Sequence, residues 1–142
     1  MIYTTARITM KNYEAVIDTP IILYRGDKNV EVQMIIYESA YRQYKIEGAN
    51  VIENLNASYG QLVVRKPDNT YVISNVTETK DGKIIFVIPP ELIDETSEVG
   101  YFTFQIRLMN DDQTSRVTLP PVFNGIEIVE PIASEDESAQ WG

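Results

Sequence analysis

The sequence GYFTFQIRL, residues 100 to 108, alternates between apolar and polar side chains along its whole length after the first glycine. A period of two residues is typical of a β-strand with one buried face, because successive side chains point to opposite sides of an extended chain. The side chains predicted to face a core are Phe102, Phe104, Ile106 and Leu108. Those predicted to face outward are Tyr101, Thr103, Gln105 and Arg107.

The same pattern recurs on the N-terminal side of this stretch. Residues 2 to 10 and 30 to 37 alternate in the same way. Residues 83 to 88 are apolar on both faces, which predicts a central strand. The tetrapeptide PDNT at 67 to 70 and the Asp-Gly pair at 81 to 82 have the composition of tight turns between strands.

The number and spacing of these segments predict the fold class. Seven to nine short strands, with turns at intervals of about 8–12 residues, favour an all-β, antiparallel β-sandwich over an open sheet. A barrel remains an alternative, because period alone does not determine closure. One short helical turn is predicted near residues 89 to 94, where PPELID places proline and then an acid in the first turn.

The domain boundaries follow from composition. Residues 1 to 130 are predicted to form the sandwich domain, and residues 131 to 142 are predicted to be an acidic, disordered tail. Residues 38 to 59 are left open between two interpretations. The first is a short helix, and the second is a long loop with one more strand at about residues 49 to 52.

Composition excludes several classes of function. The 142 residues contain no histidine and no cysteine, which Ser-His-Asp and Cys-His catalysis and the common zinc sites require. We therefore expect no catalytic residue, no metal site, no cofactor and no enzymatic activity. Twelve basic residues against 21 acidic ones, a net charge of −9, are unsuited to nucleic acid or anionic membranes. No segment has the pattern of a signal peptide, so synthesis in the cytoplasm is expected.

Short motifs have ordinary explanations. The tripeptide Arg25-Gly26-Asp27 matches integrin ligands, but Gly-Asp between two strands is common turn chemistry, and we interpret it as a turn. Acids at positions 14 and 18, at 91 to 98 and at 111 to 112 lie in polar stretches. They are predicted to be solvated rather than to form a glycosidase pair or a calcium site.

The tyrosines are the most informative side chains. The chain contains nine, and several lie in or beside the segment whose structure is left open. Tyrosine provides a large contact area at low entropic cost, which favours an interface with a protein partner. The alternative is that these rings pack over the edge of the sandwich with their hydroxyls in water. The candidate interface residues are Tyr37, Tyr41, Arg42, Tyr44 and Tyr59.

The order of these segments resembles the N-terminal domain of baseplate upper proteins from phages of Gram-positive bacteria. The resemblance covers about residues 1 to 130, although Asn69 stands where that family usually has glycine. It rests on GDKNVEV at 26 to 32, LVVRKPD at 62 to 68, GKIIFVIPPEL at 82 to 92, GYFTFQI at 100 to 106, SRVT at 115 to 118 and VFNGIEI at 122 to 128.

The resemblance implies a virion protein of the tail baseplate, made in the host cytoplasm, which binds other tail proteins and forms homo-oligomers, with a trimer as one form. It implies no catalytic residue. Family members usually continue into a helical stalk and a part that holds receptor-binding proteins. The present sequence ends at Gly142, so we expect either a piece of a longer protein or a short relative without that arm. The alternative function is a carbohydrate-binding sandwich that recognises cell-wall polysaccharide.

Overall fold

The computed structural model describes residues 2–11, 14–38, 49–94, 96–112 and 114–132. It confirms the predicted all-β class, with two short helices between the strands. The elements are β1 Ile2–Lys11, β2 Glu14–Ile17, β3 Ile21–Tyr24, β4 Val30–Glu38, α1 Val51–Asn54, β5 Tyr59–Arg65, β6 Tyr71–Ile73, β7 Thr77–Lys80, β8 Lys83–Val87, α2 Pro90–Ile93, β9 Gly100–Met109, β10 Arg116–Thr118 and β11 Val122–Val129.

The strands form two sheets. Sheet A has the order β2-β1-β4-β8-β7, and sheet B has the order β5-β9-β11-β3, with β6 on β5 and β10 on β9. Strand β7 joins them, because its first two residues pair with β5 and its last two pair with β8. Nine strands therefore run in one continuous order, which curls until β2 lies against β11. This arrangement confirms the sandwich-like fold.

Two of the strand pairings are parallel, whereas the sequence predicted antiparallel neighbours. Strand β1 runs parallel to β4, and β11 runs parallel to β3. Parallel neighbours need a crossover connection. For the pair β1 and β4, the crossover passes through β3, because the chain leaves sheet A after β2, forms β3 in sheet B, and returns to sheet A as β4. The sheet is consequently mixed.

The core lies between the two sheets and uses the predicted inner faces. In β9, the side chains of Phe102, Phe104, Ile106 and Leu108 are at most 2% exposed. Sheet A contributes residues whose exposed fraction is 0%, namely Val32, Met34, Ile36, Ile84 and Phe86. Full burial of such a side chain contributes about 1.5–3 kcal/mol of transfer free energy, so this shared core is the main stabilising element.

Strand β8 is central, as predicted, but its two faces differ. It pairs with β4 on one side and β7 on the other. Ile84 and Phe86 point into the core, whereas Ile85 and Val87 are 38% and 51% exposed. Burial in this strand is therefore confined to one face. Pairing on both edges places a strand inside a sheet but does not cover the sheet's outer face, and a sheet with antiparallel pairs tolerates one face in water.

The segment that the sequence left open begins and ends in defined structure. Asn50 forms an isolated bridge with Tyr37 and then caps α1, its Oδ1 accepting from the backbone N–H of Ile52 at 3.0 Å and of Glu53 at 3.3 Å. Such a cap satisfies donors that the first helical turn leaves unpaired. Helix α1 is thus a second short helix. The helical turn predicted near residues 89 to 94 is confirmed by α2. Residues 39 to 48 lie outside the described residues.

The predicted Asp-Gly turn joins β7 to β8. Asp81 and Gly82 have φ angles of 53° and 71°. Positive φ at both central residues is the geometry of a type I′ hairpin turn, whose twist matches that of the flanking strands. Asn69, in the turn between β5 and β6, also has a positive φ of 67°, which asparagine tolerates.

A bulge interrupts β11. The pairing with β9 shifts between Val122 and Ile126, so that β11 carries two more residues than the strand opposite. Gly125 is required there, because an added Cβ would overlap the ring of Phe104. Bulges redirect side chains, and Phe123 within this one is 64% exposed.

The two faces of β8 give the first prediction. We expect Phe86→Ala to lower the free energy of unfolding by about 3–5 kcal/mol, because it removes a buried ring and leaves a cavity. Val87→Ala, on the outer face, should change it by about 0.5 kcal/mol or less. Urea denaturation of both variants measures the difference. Equal destabilisation by the two changes would contradict the one-sided burial of β8.

Candidate protein interface

The outer face of sheet A is the surface made by its side chains that point away from the core. Strand register shows which residues share it, because residues directly opposite each other point to the same side. Thr9 lies opposite both Tyr37 and Val16, and Gln33 lies opposite Ile85. The described members of this face are Thr5, Arg7, Thr9, Glu14, Val16, Glu31, Gln33, Ile35, Tyr37, Lys80, Lys83, Ile85 and Val87.

This face combines exposed apolar side chains with charged ones of both signs. Val16, Ile85 and Val87 are between 38% and 51% exposed, and Ile35 and Tyr37 are half-buried. Its described charged members are Arg7, Glu14, Glu31, Lys80 and Lys83, three basic and two acidic, in a chain with a net charge of −9. Aromatic side chains and arginine are enriched in protein interfaces, and this face presents Tyr37 and Arg7 beside its apolar side chains.

The outer face of sheet B is different, because its polar side chains are engaged within the chain. The amide of Gln61 donates to the carbonyl of Ser74 at 3.1 Å, and that of Gln105 donates to the carbonyl of Leu119 at 2.9 Å. Arg107 donates to the side chain of Gln61 at 3.3 Å. Within the described part of the chain, the polar side chains on the outer face of sheet A make no such bonds. Those side chains are therefore not engaged by other described residues.

The structure separates the candidate tyrosines. Tyr37 lies on the outer face of sheet A, whereas Tyr59 is half-buried on β5 opposite Met109. Strands β8 and β7 lie between β4 and β5 in the sheet order, so the two tyrosines are not brought onto one surface by neighbouring strands. The other three candidates, Tyr41, Arg42 and Tyr44, lie outside the described residues.

Sequence reasoning missed the apolar members of this face on β8. Ile85 and Val87 belong to the run at residues 83 to 88, whose apolar character was used only to predict a central strand.

The Arg25-Gly26-Asp27 tripeptide is a turn whose arginine is engaged. The guanidinium of Arg25 donates to the carbonyl of Ser97 at 3.2 Å and forms an ion pair with Glu130. The N–H of Asp27 donates to the carbonyl of Tyr24 at 3.2 Å, which closes the turn. The structure therefore supports the turn interpretation.

A cleft of about 690 Å³ lies beside this turn. It is bounded by residues 26 to 29 and by Ile88, Pro90 and Ile93, with Asp94 and Thr96 at its polar side. Its volume is in the range of small-molecule sites. Among its described lining residues there is no aromatic ring.

Three exposed aspartates are held in their charged form by neighbouring threonines. The hydroxyls of Thr70, Thr96 and Thr114 each donate at 2.6 Å to the carboxylate two residues earlier. These bonds lower the pKa of Asp68, Asp94 and Asp112 below the ordinary value of 3.8. A general acid needs the opposite shift. These carboxylates therefore stabilise turns.

The other acidic candidates also occupy turns or the surface. Asp111 accepts a hydrogen bond from the hydroxyl of Ser58, and Glu14, Asp18, Glu91 and Glu98 are exposed. In the ranges that the structure describes, no three acidic side chains converge as ligands for a metal ion. In those ranges, too, no helix is long and apolar enough to span a bilayer.

Comparison with known proteins identifies the fold. No family model matches the chain, and no curated protein matches its sequence. Among solved structures, the N-terminal domain of phage TP901-1 ORF48, a baseplate protein, is similar with a TM-score of 0.56. The match covers 92% of this chain and 98% of that one. The two share a fold.

The likeness concerns the fold alone, because the two sequences are 8% identical. It extends over 92% of this chain and 98% of that one. It supports the baseplate-like fold that the sequence resemblance implied, and it transfers no side chain from one protein to the other.

The threonine–aspartate pairs give the second prediction. We expect Thr96→Val to raise the pKa of Asp94 towards its ordinary value, whereas Thr96→Ser, which keeps a hydroxyl, should leave it low. A lowered folded-state pKa contributes stability above the unfolded pKa, and this contribution is lost as the pH falls through the folded pKa. The Thr96→Val variant should therefore lose less stability than the wild type as the pH falls below about 4. Carbon NMR of the carboxyl group during acid titration measures the shift, and an unchanged pKa would contradict it.

Proposed function

We propose that the chain is a structural component of a phage or prophage tail baseplate that acts by binding other proteins of the tail. The main support is the fold, which matches a domain of a baseplate protein over nearly the full length of both chains. The ordered sequence resemblance to baseplate upper proteins supports the same role independently of the coordinates. The proposed location is the tail of the virion.

In this proposal, the outer face of sheet A is the principal docking surface. Its five apolar or aromatic side chains would leave water on contact with a partner, and non-polar burial is the main favourable term in such association. The threonines and Gln33 around them offer hydrogen bonds at the border of the contact. A stable interface buries more than about 1,000 Å² in total. The face spans four strands, which gives a partner a broad surface.

The proposed role includes assembly with copies of the same chain. Tail structures are built around an axis, and closed cyclic symmetry is the usual way in which identical subunits surround one. A trimer is one form that meets this requirement. The proposed adaptor would hold receptor-binding proteins on the tail, and such a role needs recognition surfaces rather than catalytic groups.

A carbohydrate-binding module is the second candidate, and exposed aromatic rings favour it. Tyr71 and Tyr101 are 63% and 55% exposed on the outer face of sheet B, where Arg65 lies opposite both Tyr71 and Thr103. Exposed rings can pack against sugars through their apolar faces. Calorimetry with host cell-wall polysaccharides tests this candidate. An absence of heat would exclude it, and heat that Tyr71→Ala and Tyr101→Ala abolish would support it.

The third prediction tests the docking surface. The double variant Ile85→Lys, Val87→Lys should still fold, because both side chains are exposed, but should bind the tail proteins encoded by neighbouring genes at least about tenfold more weakly. Charged side chains at the centre of an interface must be desolvated without a partner. Binding is measured by co-purification and surface plasmon resonance.

The matched control is Val117→Lys, because Val117 is 46% exposed on β10 in sheet B and should bind as the wild type does. Equal loss in both variants would argue against a specific role for the outer face of sheet A. A wild-type chain that stays monomeric and captures none of the neighbouring tail proteins would overturn the proposed function itself.

A further inference from the structure

Strand β3, Ile21–Tyr24, lies at one end of the nine-strand order and is paired on only one edge. It pairs with β11 through Ile126, Glu127, Ile128 and Val129. Among the residues that the structure describes, no strand pairs with its other edge. Its sequence, IILY, contains neither charge nor proline.

The backbone groups on the open edge can be assigned from one hydrogen bond. The N–H of Arg25 donates to the carbonyl of Val129 at 3.0 Å. Successive residues of a strand direct their N–H and C=O groups to opposite edges. The N–H and C=O groups of Ile21 and Leu23 therefore point to β11, and those of Ile22 and Tyr24 point to the open edge.

A turn uses one of the groups on that edge. The carbonyl of Tyr24 accepts from the N–H of Asp27 at 3.2 Å. The N–H and C=O of Ile22 and the N–H of Tyr24 have no partner among the described residues. They form a row of donor, acceptor and donor with the spacing of a β-ladder.

The side chains next to this row are also exposed. Ile22 and Tyr24 are 51% and 48% exposed, and they lie opposite Glu127 and Val129 on the outer face of sheet B. Natural proteins protect open edges with lysine, proline, bulges or a covering segment. Strand β3 has none of the first three within it, and Pro20 precedes it.

We propose that the open edge of β3 binds an extended segment of a different protein, which adds to sheet B as a further strand. The segment would carry apolar residues at alternate positions, which contact Ile22 and Tyr24, and basic residues at its ends. Strand addition takes its affinity from main-chain hydrogen bonds and its specificity from alternate side chains. The inference rests on the geometry of this edge and not on the proposed baseplate role.

The charges around β3 determine the kind of segment. The nearby acids are Asp18, Asp27, Glu127 and Glu130, and the nearby bases are Arg25 and Lys28. The charge of Arg25 is already engaged by Glu130. Acids are therefore in excess, and an incoming basic segment is attracted.

A second copy of the chain is a less suitable partner. It would bring its own net charge of −9 and the same acids to this edge, and juxtaposed like charges oppose association. Two uncharged IILY strands could pair with each other, but the acids on both sides of each strand would repel those of the other copy. A basic segment from another protein is therefore favoured.

The test uses a synthetic peptide of alternating valine and threonine with lysines at both ends. Nitrogen NMR of the labelled chain should show shifts and slowed solvent exchange at the amides of Ile22 and Tyr24 on addition of millimolar peptide. The same peptide with glutamates at its ends should bind at least about tenfold more weakly at low salt. N-methyl groups on alternate amides of the lysine peptide remove the N–H donors from one of its edges. The methylated peptide should therefore not bind through that edge.

Variants of the chain provide the fourth prediction. Ile22→Pro removes the N–H that points to the open edge, a position where proline is tolerated in edge strands, and should abolish peptide binding. Ile22→Val keeps the N–H and the branched side chain and should bind as the wild type does. If Ile22→Pro does not fold, the N-methylated peptide still decides the question.

Three results would overturn the proposal. The first is no change at the β3 amides at millimolar peptide. The second is equal binding of the lysine peptide, its glutamate counterpart and its N-methylated form. The third is a concentration-dependent shift of these amides without peptide that Ile22→Pro removes, because this would assign the edge to a second copy. Loss of peptide binding with retained binding of tail proteins would leave the proposed function intact.

Discussion

Two sheets that enclose one core must also remain connected to each other, and this constraint acts at β7. Its first half pairs with β5 in sheet B and its second half pairs with β8 in sheet A, so four residues carry the backbone hydrogen bonds around the corner. At this corner Gly60 in β5 lies against Ile84 of β8, whose Cδ1 atom would have to move if residue 60 carried a Cβ. Strands β5 and β8 therefore approach each other closely where the two sheets join.

A two-layer sandwich leaves two outer faces, and this chain treats them differently. On sheet B, strands β6 and β10 and the segment around Leu119 accept or shield polar side chains of β5 and β9. Sheet A has no comparable cover among the described residues, and it exposes Ile85 and Val87.

The period-two pattern was sufficient to predict which side chains of β4 and β9 enter the core, and Asp81-Gly82 was sufficient to predict the hairpin turn. It could not predict the parallel pairing of β1 with β4, because alternation is the same in parallel and antiparallel strands. Nor could it predict the exposure of Val87, since an apolar run does not reveal whether a second layer covers it. Of the five candidate interface residues, Tyr37 was placed on an open face and Tyr59 was not, because that distinction depends on long-range strand order.

Charge separates the two proposed binding surfaces. The outer face of sheet A combines five apolar or aromatic side chains with three basic and two acidic ones, so it suits a partner with a broad surface of mixed character. The edge of β3 combines an uncharged strand with surrounding acids, so it suits an extended basic segment whose binding weakens as salt rises. The first surface belongs to sheet A and the second to the edge of sheet B, and occupation of one leaves the backbone and side chains of the other free. A small β-domain with two such surfaces could hold two different proteins at once, which is the physical requirement for an adaptor.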